Sequence, residues 1–121
     1  MSLVPLRQVP GDYRAWVRWN DRQSAQGFII YRLEATTYTV QDDDDVVIVD
    51  DDTAGGAVTV TLPPAANNKG RWVYIKKIGT TGSVTTDADG SETIDGVTTL
   101  VNSTQYQSDI LLSDGVEWWT L

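Results

Sequence analysis

The stretch Ala57-Val58-Thr59-Val60-Thr61-Leu62 (AVTVTL, residues 57–62) decides the fold class, because apolar and hydroxylated side chains alternate along it without a break. Strict alternation is typical of a β-strand with one buried face, and it predicts that Val58, Val60 and Leu62 point inward. Pro63 and Pro64 follow directly. Because proline cannot donate a hydrogen bond to a neighbouring strand, the strand is predicted to end there.

Similar short apolar segments lie on both sides of this strand. Val46–Val49 (VVIV) is predicted to be a short, fully buried strand, and residues 71–78 (RWVYIKKI) the longest one. Pairs such as Asp95-Gly96 and Asp114-Gly115 are typical of tight turns between strands. The whole chain shows about ten short strands and no amphipathic helix of three turns. It is therefore predicted to be all-β, a compact β-sandwich or barrel with a short N-terminal arm.

Residues 1–27 differ from this pattern, because they combine aromatic and arginine side chains with two early prolines. Such side chains are enriched at protein interfaces. A first strand with Ala15, Val17 and Trp19 on one side and Trp16 and Arg18 on the other explains the same residues, and both interpretations stay open. We divide the chain into a docking segment at 1–35 and a β module at 36–121. The candidate interface residues of the docking segment are Tyr13, Arg14, Trp16, Arg18 and Trp19.

The charge is unevenly distributed along the chain. Residues 1–35 carry five arginines against three acidic residues, whereas residues 36–121 carry four basic against fourteen acidic residues, a net charge of −10. DNA and RNA would be repelled by the acidic body, so no nucleic-acid partner is expected. The absence of an apolar run of membrane-spanning length and of a signal-peptide pattern predicts a protein made in the cytoplasm without a membrane partner.

The sequence has neither cysteine nor histidine, which removes thiol chemistry and the commonest general base and metal ligand. The acidic runs 42–45 and 50–52 have the oxygen ligands that Ca²⁺ takes, but they lack the spacing of an EF-hand loop. We favour solvated turns that flank Val46–Val49, and weak Ca²⁺ binding stays a hypothesis. Residues 87–92 hold only a fragment of a Ca²⁺ loop, so a turn is again preferred. No catalytic residue, metal ligand or cofactor is predicted.

Trp118 and Trp119 are adjacent in a predicted C-terminal strand, so they should point to opposite faces. One is expected in the core, and the other at the surface or against a neighbouring subunit. Both are retained as candidate interface residues.

The segment from Tyr38 to Leu121 resembles a β module of tailed-bacteriophage structural proteins, found in tail fibres and in head or tail appendages. The resemblance is carried by motifs in a fixed order: YTV at 38–40, DVVIVD at 45–50, AVTVTLPPA at 57–65, NKGR at 68–71, YIKK at 74–77, TIDG at 93–96 and LSDGVEWW at 112–119. Fibres carry this module on a long shaft, and the segment before Tyr38 resembles no shaft.

The resemblance implies a non-enzymatic virion protein, most simply a capsid decoration (cement) or head-appendage protein. Its implied partners are further copies of itself, as a homotrimer, and the major capsid protein or another virion protein. The alternative is a tail-fibre or baseplate component that binds a host-surface glycan. A polysaccharide hydrolase using paired carboxylates is a remote third possibility, since no spacing selects a carboxylate pair.

Overall fold

The structure is a computed structural model, and it describes residues 28–121. This part of the chain is mostly β, with nine strands in two mixed sheets and a single-turn α-helix, α1, at Asp51–Ala54. The predicted all-β class is confirmed, and the two sheets pack as a sandwich that is not closed into a barrel. The strands are β1 Ile30–Leu33, β2 Thr37–Thr39, β3 Val46–Val49, β4 Val58–Thr61, β5 Trp72–Lys77, β6 Val84–Asp87, β7 Thr99–Asn102, β8 Ser108–Ser113 and β9 Trp118–Thr120.

The chain crosses from one sheet to the other after each of its first five strands. Sheet A has the order β1-β3-β5-β8-β9, and sheet B has the order β2-β4-β6-β7. The odd strands β1, β3 and β5 pair in parallel, as do the even strands β2, β4 and β6. The first six strands therefore wind as a coil of two strands per turn.

The last three strands close this coil with antiparallel pairs. β7 pairs with β6, β8 pairs with β5, and β9 pairs with β8. The turn at Asp95-Gly96 has both residues at positive φ and joins Ile94 to Val97, which is the hairpin geometry that this dipeptide favours.

The core lies between the sheets and follows the predicted alternation. Val58, Val60 and Leu62 are buried, as are Val73 and Ile75 on the opposite sheet. Burying a side chain of this size contributes about 1.5–3 kcal/mol to folding. Since β1 pairs with β3, residues 30–33 belong to the sandwich, and the predicted docking segment 1–35 overlaps the β body at its C-terminal end.

The prediction that Val46–Val49 is fully buried is wrong. Val47 and Val49 are buried, whereas Val46 and Ile48 are only half-buried on the outer side of sheet A. A run of four apolar residues does not show whether both faces of its strand are covered, because a half-exposed β surface also accepts Val and Ile.

A buried cluster of polar groups joins two crossovers of the coil. Asp51, at the start of α1 between β3 and β4, accepts hydrogen bonds from the backbone amides of Gly79 and Gly82 between β5 and β6, each at 2.9 Å. Its Oδ2 lies 3.1 Å from Nζ of Lys77, and both side chains are buried. A Cβ on Gly79 would overlap the Asp51 carboxylate, so this close approach requires glycine. We call Asp51, Lys77, Gly79 and Gly82 the crossover clamp.

Candidate protein interface on the outer face of sheet A

The outer surface of sheet A, here called face A, carries mainly apolar side chains. Register and burial place every second residue of its five strands on this surface, because side chains alternate along a strand. Most of these side chains are half-buried or exposed. The members of face A are Ile30, Arg32, Val46, Ile48, Trp72, Tyr74, Lys76, Ser108, Ile110, Leu112 and Trp119.

Strand register sorts these side chains into three rows that run across the sheet. We call them the aromatic row (Trp72, Leu112, Trp119), the middle row (Ile30, Val46, Tyr74, Ile110) and the basic row (Arg32, Ile48, Lys76, Ser108). Their central members Trp72, Tyr74 and Lys76 all come from β5, the central strand of the sheet. Polarity therefore changes along the strands of face A, from tryptophan at one end to cations at the other.

Aromatic rings on face A contact one another. The ring of Tyr74 lies 5.5 Å from that of Phe28 and 6.5 Å from that of Trp72, measured between centroids. Phe28 precedes β1 and is 53% exposed, while Trp72 is 45% exposed. Aromatic rings at such separations attract one another beyond the effect of area burial. They also form a rigid apolar surface, and its contact with water is unfavourable.

Trp119 is held in place by a turn that the sequence predicted. Its Nε1 donates a hydrogen bond to Oδ2 of Asp114 at 2.8 Å, and the Asp114 Oδ1 accepts from the amides of Val116 and Glu117. The Glu117 amide and the Trp119 indole hold the pKa of Asp114 below its ordinary value. The indole therefore stays oriented on the surface with 44% of the residue exposed.

Face A carries cations in a domain that is otherwise acidic. Residues 28–121 contain five basic and fifteen acidic residues, yet the charged members of face A are Arg32 and Lys76. NH2 of Arg32 lies 2.6 Å from Oδ2 of Asp50, and its Nε lies 3.4 Å from Oε2 of Glu34. Lys76 has no ion pair within the described part of the chain, so its ammonium group can interact with another molecule.

The preferred interpretation of the acidic runs as solvated turns is wrong for four of their members. Asp44, Asp45, Asp50 and Asp51 are buried. Asp44 accepts from the Tyr38 hydroxyl and the Gln41 amide, and Asp45 accepts from the Ile29 amide. These carboxylates cap backbone amides and turns, because a buried carboxylate needs hydrogen-bond donors.

Carboxylates of the second acidic run also accept hydrogen bonds from backbone amides and from hydroxyl groups. Asp50 caps α1 through the amide and hydroxyl of Thr53. Asp52 accepts from the Thr80 amide at 2.9 Å and from the Thr81 hydroxyl. The Thr53 and Thr81 hydrogen bonds lower the pKa of Asp50 and Asp52.

Residues 28–121 contain no group of three acidic residues placed to share a metal ion. The same residues also contain no helix long and apolar enough to cross a bilayer.

Of the candidate interface residues predicted from the sequence, only Trp118 and Trp119 lie in the part of the chain that the structure describes. Tyr13, Arg14, Trp16, Arg18 and Trp19 lie outside the described residues. Trp118 is fully buried in the core, with its Nε1 donating to the Pro63 carbonyl, and Trp119 lies on face A. The predicted division between these two tryptophans is thus confirmed.

Sequence reasoning missed face A as a whole. The alternation of Trp72, Tyr74 and Lys76 was visible, but the outward position of Ile30, Val46 and Ile110 depends on strand pairing across the sheet.

Comparisons of the sequence with protein-family profiles and with curated proteins find no match. Functional inference therefore rests on the geometry of face A and on the motif order of the sequence.

Proposed function

We propose that this protein is a non-enzymatic structural component of a tailed-phage particle, a capsid decoration or head-appendage protein, and that face A is a protein interface in the assembled particle. The observation that carries the proposal is the composition of face A: three exposed or half-buried aromatic side chains among aliphatic ones, with cations at one end. Trp, Tyr and Arg are the side chains that dominate binding energy at protein interfaces.

The attribution to a phage particle is supported by the order of motifs between Tyr38 and Leu121. Several of these motifs have a definite structural role in the sandwich. AVTVTL contains the inward row of β4, YIKK contains the clamp lysine Lys77, and Asp114 of LSDG orients Trp119. A module of this size with a large apolar surface gains stability from assembly.

A quantitative binding assay tests this function. Particles of the encoding phage, stripped of the protein, are titrated with the full chain and with the double variant Trp72→Ser, Trp119→Ser. We expect the double variant to bind at least tenfold more weakly, because assembly on the particle then loses the apolar contacts that face A supplies. The matched control is Val101→Ser, which alters a 57% exposed residue on the opposite sheet. Equal binding of all three proteins would refute the role of face A.

The position of the protein on the particle requires a separate measurement. Immunogold labelling of intact particles is expected to mark the heads. Label confined to the tail would replace the decoration role by a part in host attachment.

A host-surface glycan is the second candidate ligand, and the exposed rings of Trp72, Tyr74 and Trp119 favour it, since aromatic rings stack on sugars. Retention of the full chain on a glycan array, abolished by the same double variant, would support this candidate. The aliphatic side chains of the middle row, Ile30, Val46 and Ile110, have no partner in such a complex, which is why a protein partner is preferred.

A further inference from the structure

We infer that face A is occupied by face A of a second copy of this chain, in a two-fold pair whose axis runs across the strands along the middle row. The inference rests on the proposed use of face A as a protein interface, and it names the partner. It differs from the homotrimer that the resemblance implies.

A two-fold axis along the middle row makes the three rows complementary to themselves. An axis along the middle row reverses the strand direction of the partner, so Tyr74 meets Tyr74 of the other copy and Trp72 meets its Lys76. On β8 the same axis brings Leu112 opposite Ser108 of the other copy. The row order of face A thus places a cation over an aromatic ring at both ends of β5.

The alternative two-fold axis, parallel to the strands, is disfavoured by charge. It would place Lys76 against Lys76 of the other copy, and like charges in contact oppose association. Two apolar sheet faces pack well when their strands are nearly aligned or opposed. A closed ring of three copies requires two different surface patches that fit each other, whereas a two-fold pair uses one patch twice.

The size of face A predicts a weak association. Five strands about 4.8 Å apart and three rows about 7 Å apart cover roughly 20 Å by 15 Å. This is about 300 Å² on each copy, less than the roughly 800 Å² per partner of a stable interface, and it corresponds to a weak, transient contact. We therefore expect a pair that dissociates on dilution.

Sedimentation equilibrium of the full chain over a wide concentration range gives the first test. The expected species is a dimer of twice the 13.3 kDa chain mass. Tyr74→Lys places two cations on the axis and is expected to weaken the association at least tenfold. Lys76→Glu, an exchange on the surface, is expected to weaken it less. Thr85→Lys on the opposite sheet is the matched control and should leave the dimer unchanged. A chain that stays monomeric, or that forms trimers, would overturn the inference.

The orientation of the pair is tested by cross-linking, because the chain contains no cysteine of its own. A mixture of the variants Ser108→Cys and Leu112→Cys is treated with a short thiol cross-linker. The proposed axis predicts that 108–112 pairs form faster than either 108–108 or 112–112 pairs. A predominance of the two like pairs would overturn it.

The same variants separate this inference from the proposed function. If the chain is monomeric and Trp72→Ser, Trp119→Ser still abolishes particle binding, the proposed function stands and the inference fails. If the dimer forms as predicted and the double variant binds particles as well as the full chain does, the inference stands and the proposed function fails.

Discussion

The outer faces of the two sheets come from the same winding of the chain, yet their chemistry is opposite. Face A is apolar and aromatic. The outward residues of sheet B are almost all threonine, with Asp87 and Val101 as the exceptions, and we call this surface face B. Its members are Thr37, Thr39, Thr59, Thr61, Thr85, Asp87, Thr99 and Val101.

The difference teaches that strand formation and surface chemistry are independent in this fold. Threonine, valine and isoleucine are all β-branched, and all three favour strands. Both sheets therefore form, but a hydroxyl keeps face B hydrated, whereas a methyl group leaves face A with surface that association would cover. A sandwich with one hydrated and one apolar face has a defined direction for assembly.

The largest expected effect comes from the crossover clamp, on which both faces depend. Asp51→Asn leaves the ammonium group of Lys77 buried without a charged partner, and breaking a buried ion pair in this way costs about 3–5 kcal/mol. Urea denaturation should show this loss in the free energy of unfolding. Asp43→Asn changes an exposed acid in the neighbouring run and is the control. Equal unfolding midpoints for the two variants would show that the clamp does not stabilise the coil.

Exchange of surface chemistry between the faces gives the next largest effect. The variant Val46→Thr, Ile48→Thr, Ile110→Thr makes the aliphatic part of face A resemble face B and should weaken binding of a fluorescent hydrophobic dye. The reciprocal variant Thr59→Val, Thr61→Val should create such binding on face B. Each substitution is expected to change folding stability by only about 0.5 kcal/mol, because these positions are partly exposed strand sites. If dye binding neither decreased in the first variant nor appeared in the second, surface chemistry would not explain the difference between the two faces.

Acid sensitivity should come mainly from the carboxylates of the crossovers, with a further contribution from Asp114, which holds Trp119 on face A. Burial alone would raise the pKa of Asp51, but the Gly82 amide and Lys77 outweigh it, and its pKa lies below the ordinary value of 3.8. Asp52 is lowered as well, by Thr81 and Thr80. A lowered pKa gives stability that is complete above about pH 3.8 and is lost as the pH falls through the folded value.

Thermal unfolding measured at a series of pH values tests this assignment. Asp52→Asn should flatten the acid limb of the stability profile, while the control Asp43→Asn should leave it unchanged. An acid limb that Asp52→Asn does not alter would assign the acid sensitivity to other carboxylates.

The smallest effect is expected at Asp109, which points into the sandwich from β8. Burial raises its pKa, so its ionised form opposes folding at neutral pH. Asp109→Asn should raise the unfolding temperature at pH 7 by less than about 4 °C, which for a domain of this size corresponds to under ~1 kcal/mol. The gain should shrink as the pH falls through the raised folded pKa and vanish below about pH 3.8, where the carboxyl group is neutral in the folded and the unfolded chain alike. A lower unfolding temperature at pH 7 would contradict this interpretation.

Local patterns predicted the faces of single strands well. The inward row of Val58, Val60 and Leu62, the division between Trp118 and Trp119, and the turn at Asp95-Gly96 each depend on residues close together in sequence. Alternation specifies which side of a strand is apolar, because side chains on a strand repeat every two residues.

Strand order and the role of the acidic runs were beyond local patterns. β3 and β5 pair in parallel with Val46 opposite Tyr74, and no hairpin turn marks such a distant pair. Asp51 acquires its partners at Gly79 and Gly82, which are 28 and 31 residues away. In the sequence alone, a run of aspartates is typical of solvated turns. The distant amides that bind these carboxylates become evident only in the folded structure, which explains why both runs were interpreted as solvated.

The two-strand coil also has a kinetic consequence. Because the first six strands alternate between the two sheets, neither sheet can be completed before the chain has crossed between them several times. The parallel pairs join residues far apart in sequence, and such contacts slow folding. The antiparallel pair β8–β9 joins residues close in sequence and is the natural place for early structure. We expect folding from the C-terminal end toward β1, as one cooperative transition in which sheets A and B appear together.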